Sequence, residues 1–192
     1  MGGAYIWDEW RCGRLRGVRF NSRDLTLMTL LGCLSALTTL TTNMIPAPLP
    51  GLYGAISIPL GTILVFTARA LVDKPGAATF TQLVSGVVST ILPGGPPIPW
   101  LIIPVWTLGG IVVDLASLSL DFSESIMASL LVGLIYGVPG DLLLYYAFRV
   151  ILGWFMPPVF FLYGFLLIHS LLGGIGGLLS PSIIKRLRPL LS

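Results

Sequence analysis

Apolar residues run through this chain in six long blocks, separated by short polar or proline-rich stretches. A membrane-crossing helix takes about 20 predominantly apolar residues, so each block is a candidate span. The first runs from Leu25 to about Asn43 and follows Ser22-Arg23-Asp24, a sequence suited to a helix start. Met44–Leu52 carries three prolines and reads as an external loop. Tyr53–Val72 is the second block, Asp73-Lys74-Pro75-Gly76 a tight internal turn, and about Ala77–Leu92 a short third block rich in small and hydroxyl residues. Pro93–Pro99 (PGGPPIP) cannot be regular helix and forms a second external loop. Trp100 to about Leu120 is the fourth block, and the turn Asp121–Glu124 offers Ser123 as an N-cap. Ser125–Gly153 is the fifth, interrupted by Pro139-Gly140-Asp141 and read as one long kinked helix. After Met156-Pro157-Pro158, Val159 to about Leu179 forms the sixth.

Charge orients these blocks. Ten of the eleven basic residues fall in three places. Arg11, Arg14, Arg16, Arg19 and Arg23 precede the first block; Arg69 and Lys74 bracket the turn after the second; Lys185, Arg186 and Arg188 follow the last. Lys and Arg accumulate in short cytoplasmic segments of membrane proteins, so both termini are expected inside and the number of spans is even. Breaking the fifth block at Pro139-Gly140 would give seven spans and put the basic tail outside, which the charge layout disfavours. The expected architecture is an all-α integral membrane protein with six transmembrane helices and both termini cytoplasmic. Its parts are a cytoplasmic segment 1–24, a membrane domain 25–184 and a cytoplasmic basic tail 185–192.

Composition agrees with a bilayer as solvent. The 192 residues are 55% hydrophobic and 10% charged, with a mean hydropathy of +0.92, whereas soluble domains carry about 25% charged residues. The net charge of +3 belongs to membrane flanks facing anionic headgroups and implies no nucleic acid. No small-residue cleavage site follows the first block, so it is expected to stay as a span. Cys12 and Cys33 are too few for a zinc site or a disulfide framework, and Cys33 reads as a buried small hydrophobe.

Ionisable residues inside hydrocarbon are costly and therefore candidates for function. Four remain within the blocks: Asp114, Asp141, Arg149 and His169. Asp114 lies toward an inner end, where it either pairs with a structural partner such as Arg69 or takes part in a ligand site. Asp141 sits near the middle or outer half of the fifth block, Arg149 near its external end and His169 near the middle of the sixth, so the three could line one cavity open to the outside; alternatively Asp141 pairs with Arg149 along its own helix. Tyr53 and Trp154 suit an interfacial belt, while Trp106, Tyr146 and Tyr163 lie deeper. With Asp141 these three could cage a flat, partly cationic ligand. Gly32-x-x-x-Ala36 forms a small-residue face able to bring helices close, either inside the chain or against another membrane subunit, and Gly173, Gly174, Gly176 and Gly177 do the same for the sixth block. No nucleophile elbow, zinc-protease motif or phosphate-binding loop is present, so no enzyme, metal or cofactor is expected.

Three stretches resemble the substrate-binding S components of energy-coupling factor (ECF) transporters. Asn21-Ser22-Arg23-Asp24-Leu25 into Leu31–Leu37 is similar to that family's first helix, with Gly32 and Ala36 at its packing motif. The proline-rich first external loop resembles the family's substrate cover. Lys74-Pro75-Gly76-Ala77-Ala78-Thr79-Phe80-Thr81-Gln82-Leu83 resembles the hydroxymethylpyrimidine/thiamine (YkoE-like) branch. Gly32 replaces an Ala there, and Gln82 stands where Glu is frequent. The resemblance implies a multi-pass plasma-membrane protein that captures a vitamin from outside, here thiamine or its hydroxymethylpyrimidine precursor. Its partners would be a transmembrane coupling subunit, docked at Gly32 and Ala36, and two cytoplasmic ATPases. The substrate would sit between spans four, five and six against Trp106, Asp141, Tyr146, Tyr163 and His169, with Arg149 at the rim. The alternative is a small structural or assembly membrane protein with no ligand.

Overall fold

The computed structural model describes residues 19–40, 54–92, 98–121, 125–153 and 157–191. The arginines before residue 19, Cys12, the loop Met44–Leu52, Ser123, Tyr53 and Trp154 lie outside these residues. Every regular element among the described residues is helical.

Helix α1 spans Ser22–Thr38. Its start is fixed by Asn21, whose backbone N–H donates to Asp24 Oδ2 at 3.0 Å, a reach-back that satisfies an otherwise orphaned donor. Helix α2 (Ser57–Val72) ends at Asp73, held in the left-handed region at φ 49°. Gly76, at φ 91°, then launches α3 (Ala77–Ser89). Two left-handed residues within four positions reverse the chain this tightly, and glycine takes that conformation without strain.

Helix α4 (Ile102–Ala116) follows a single 3-10 turn, Pro99–Leu101. Helix α5 (Ile126–Tyr136) begins at Ser125, whose side chain accepts from the Ala128 N–H, so the N-cap falls two residues beyond Ser123. Gly137 keeps helical angles between α5 and α6 (Val138–Ile151). Pro139 occupies the first turn of α6, where its missing N–H breaks no bond. The fifth block is therefore one apolar helical run, Ile126–Ile151. Helix α7 (Pro158–Phe161), a π-helical turn (Leu162–Leu166) and α8 (Leu167–Leu191) make up the last run. It continues past Leu179 through Pro181 and into the basic tail.

Three of these runs are long and apolar enough to cross a membrane: Pro99–Ala116, Ile126–Ile151 and Pro158–Pro189. Helices α2 and α3, of 16 and 13 residues, are apolar but shorter.

Small residues let these helices touch backbone to backbone. A β-carbon on Gly176 of α8 would lie 2.5 Å from the Pro59 carbonyl oxygen of α2, and one on Gly110 of α4 would lie 2.7 Å from the Ala78 carbonyl of α3. Gly133 and Gly177 meet in the same way where α5 crosses α8. Without a hydrophobic driving force between helices in lipid, such close contact supplies much of the association. Gly176→Val should therefore lower the melting temperature in detergent clearly, by overpacking worth about 1–3 kcal/mol. The interior is filled by Val65, Phe66, Val113, Val132 and Ile184, with a second cluster of Met28, Val72 and Ala77 beside α1.

The Gly32/Ala36 face belongs to this internal packing. A β-carbon on Gly32 would sit 2.7 Å from the Thr81 carbonyl oxygen of α3, and Ala36 is fully buried. The chain's own third helix occupies the surface expected to receive a coupling subunit, so Gly32 and Ala36 are not open to a partner.

Candidate functional site

Three polar arrangements occur within the bundle. The first ties the α2–α3 turn to its neighbours. Arg69, only 5% exposed, donates through Nε to Ser117 Oγ at 2.9 Å and lies 3.4 Å from Asp114 Oδ1. Its Nη1 reaches Asp73 at 3.3 Å. The Asp114 carboxylate in turn accepts from the Thr79 N–H at 2.8 Å, the Thr79 hydroxyl at 2.6 Å and the Ala78 N–H at 3.3 Å. Asp114 thus caps α3 from a different helix and neutralises Arg69 at once, the structural one of the two roles expected for it. Beside it, Lys74 contacts Asp24 and donates to the Arg19 carbonyl at 3.0 Å.

The hydrogen bond from Lys74, helped by the Asn21 N–H, holds the Asp24 carboxyl below the usual carboxylate range. A carboxyl with a depressed folded-state pKa stabilises the fold above its unfolded pKa, and that stabilisation disappears as pH falls through the folded value. Asp24→Asn should accordingly melt lower than wild type at pH 7, with the gap closing below about pH 4.

The second arrangement is a pair buried between the last two long runs. His169 Nδ1 lies 3.2 Å from Asp141 Oδ1, with side chains 13% and 11% exposed. An aromatic column leads to it: Tyr145 stacks on Phe161 at 4.4 Å, Phe161 on Phe165 at 5.8 Å, and Phe165 lies 4.0 Å from the His169 ring. Phe161, Phe165 and His169 recur every four residues, a spacing that drifts around an α-helix. The wider π-helical turn Leu162–Leu166 helps bring them onto one line. The structure pairs Asp141 with His169; Arg149 lies exposed in the last turn of α6.

The third arrangement is a cavity of about 60 Å³ among α1, α2, α3, α4 and α5. Its wall comprises Ser35, Thr38 and Thr39 from the end of α1, Ser57, Ile58 and Gly61 from α2, Gln82 from α3, Trp106 from α4 and Tyr136 from α5. Tyr136 can lie flat against α4 because Gly109 has no side chain: a β-carbon there would come within 3.0 Å of the ring. The Tyr136 hydroxyl faces the side chains of Thr62 and Gln82. Gln82 is 3% exposed, and its Oε1 has no hydrogen-bond partner.

Of the residues singled out in the sequence, Trp106 lines this cavity, and Asp141 and His169 come together in the pair described above. Tyr146 and Tyr163 do not join them, being 61% and 68% exposed on the outside of the bundle. The cavity lies among the first three helices, with one residue each from α4 and α5, rather than among spans four to six. Gln82, Ser35 and Tyr136 were not among the expected site residues. A row of polar side chains at 82, 85 and 89, one face of a helix in an otherwise apolar block, was the available cue.

These helices and this composition define an all-helical membrane protein. No protein-family model, curated protein or solved structure matches the chain.

Proposed function

We propose that this chain is the substrate-capture subunit of an ECF-type vitamin uptake transporter, taking thiamine or its hydroxymethylpyrimidine precursor from outside the cell. In this reading it crosses the plasma membrane six times with both termini inside. A coupling subunit and two cytoplasmic ATPases power release, since the sequence has no phosphate-binding loop of its own. The observation that carries the reading is Gln82: an unpaired amide oxygen, almost fully buried, at the wall of a cavity bounded by Trp106 and Tyr136. A buried polar atom without a partner costs about 1–3 kcal/mol. A ligand that supplies the missing donor while lying against the two aromatic rings recovers that cost and adds stacking.

About 60 Å³ accommodates a few waters. Seating a pyrimidine ring therefore requires the walls to part, so that ligand capture and helix movement are coupled, as transport demands. Because Gly32 and Ala36 are covered by α3, the coupling subunit would meet a different surface.

The reading without a ligand, a structural or assembly protein, draws on the internal pairing of the two buried carboxylates among the described residues: Asp114 with Arg69 and Asp141 with His169. Tryptophan fluorescence of the purified full chain separates the two. Saturable quenching by thiamine or the pyrimidine is expected. A flat response to both, and to riboflavin, would overturn vitamin capture and leave the structural reading.

A further inference from the structure

We infer that the outward face of α8 holds a phospholipid with an anionic headgroup, its acyl chains along Ile175, Leu178 and Leu179 and its phosphate at Ser182, Lys185 and Arg186. This stands apart from the capture reading and needs only that the last run crosses a membrane.

Helix α8 runs unbroken from Leu167 to Leu191. Positions 175, 178, 179, 182, 185 and 186 follow the spacing i, i+3, i+4, i+7, i+10 and i+11, which places them on one face. All six are exposed, whereas Ser180, Pro181 and Ile184 on the other side are buried. Along this face the chemistry changes once, from three apolar side chains to a hydroxyl and then to two cations. Side chains on a helix lean toward its N-terminus, so Lys185 and Arg186 cover the turn that holds Ser182. From Leu179 to Ser182 and Lys185 the rise is about 5–9 Å, and a headgroup layer is about 5–8 Å deep on each side of the hydrocarbon. A lipid whose chains lie against Leu178 and Leu179 thus brings its phosphate to this turn.

Pairing elsewhere at this end of the bundle sets the two cations apart. Ile184 packs with Phe66 and Ala70, so the end of α8 is level with the end of α2. There Arg69 is paired with Asp114 and Asp73, and Lys74 with Asp24. Among the described residues no carboxylate lies within ion-pair distance of Lys185 or Arg186. A zwitterionic headgroup carries its own ammonium, which competes for the phosphate and repels both side chains; an anionic headgroup does neither. Each Lys or Arg near the membrane surface favours anionic lipid by about fivefold. Offsetting the negative end of the helix dipole accounts for a cation in the last turn, Arg188. It does not account for two cations on the same face as the apolar stripe. Arg188 follows buried Ile184 by four residues and so lies on the core side of the helix, away from Ser182.

Native mass spectrometry of the full chain, released from detergent with dioleoyl phosphatidylglycerol or dioleoyl phosphatidylcholine added, counts bound lipids directly. Both lipids carry the same chains, so a difference reports the headgroup. Wild type is expected to bind its first phosphatidylglycerol about 25-fold more tightly than phosphatidylcholine, about fivefold for each cation. Arg186→Gln should cut that preference by about fivefold, and Lys185→Gln/Arg186→Gln should abolish it. Arg188→Gln removes the same charge two residues away and should leave the preference within twofold of wild type. Equal losses from Arg186→Gln and Arg188→Gln would reduce the preference to diffuse attraction and overturn a site on this face. Equal affinity of wild type for the two lipids would overturn the inference without reference to any variant, and would turn the cations toward an acidic protein surface instead.

Discussion

Asp114→Ala is expected to be the most damaging single change in the described bundle, costing about 3–5 kcal/mol of stability. The variant strands the Arg69 guanidinium, 5% exposed, without its interhelical counter-charge. It also strips the cap from the first turn of α3, where the Ala78 and Thr79 amides donate to the lost carboxylate. The remaining partner of Arg69, Asp73, is largely in solvent with a side chain 83% exposed, and an exposed partner contributes little. Unfolding in a graded detergent series would measure the loss. The double variant Arg69→Met/Asp114→Leu should be markedly less destabilised than Asp114→Ala alone, because the penalty lies in breaking the pair rather than in lacking one. Equal losses would show that the cap, and not the stranded charge, dominates.

The second large effect concerns binding. On the proposed capture, Trp106→Ala should weaken pyrimidine binding by about tenfold to a hundredfold, matching the roughly 1–3 kcal/mol that one stacked aromatic contributes. Trp106 is only partly buried, so its removal enlarges the cavity without emptying the core, and the variant should remain folded by circular dichroism. Tyr146→Ala and Tyr163→Ala, on the outside of the bundle, should leave affinity within twofold of wild type. If those two variants lost binding and Trp106→Ala kept it, the ligand would lie at the outer face of α6 and the last run, and the cavity assignment would fail.

The contrast between those residues marks where the sequence stops being informative. The apolar blocks and the turn at Asp73–Gly76 were legible because apolar length, prolines and charged turns are local features, although the last helix runs past the expected end at Leu179 to Leu191. The Arg69–Asp114 pair was half legible: matching depth named Arg69 as a partner, but only the packing decides between that pairing and a ligand role for Asp114. Rotation of each helix about its own axis was not. In a membrane run the lipid-facing and core-facing sides are both apolar, so the pattern that orients a soluble amphipathic helix is weak. Tyr146 and Trp106 are indistinguishable by depth, and only packing turns one outward and the other onto a cavity. Gln82 was hidden for a related reason. Whether its oxygen finds a donor depends on side chains from four other helices. The Gly32 face was correctly read as sticky, but stickiness does not name the partner, and α3 arrives first.

The brevity of α3 has a consequence for the surrounding lipid. Thirteen residues at 1.5 Å each reach about 20 Å, well short of a hydrocarbon layer of about 30 Å. Its exposed flank, with Leu83 and Val87 turned outward, matches only part of that depth. Acyl chains on this side must compress, or water and headgroups must follow the chain inward, at a cost of a fraction of a kcal/mol per ångström of mismatch. The helix that carries Gln82 is thus the one most strained by a thick membrane and most relaxed in a thin one. On the proposed capture, lipid acyl length would act from outside the protein on the same wall that an entering ligand has to move.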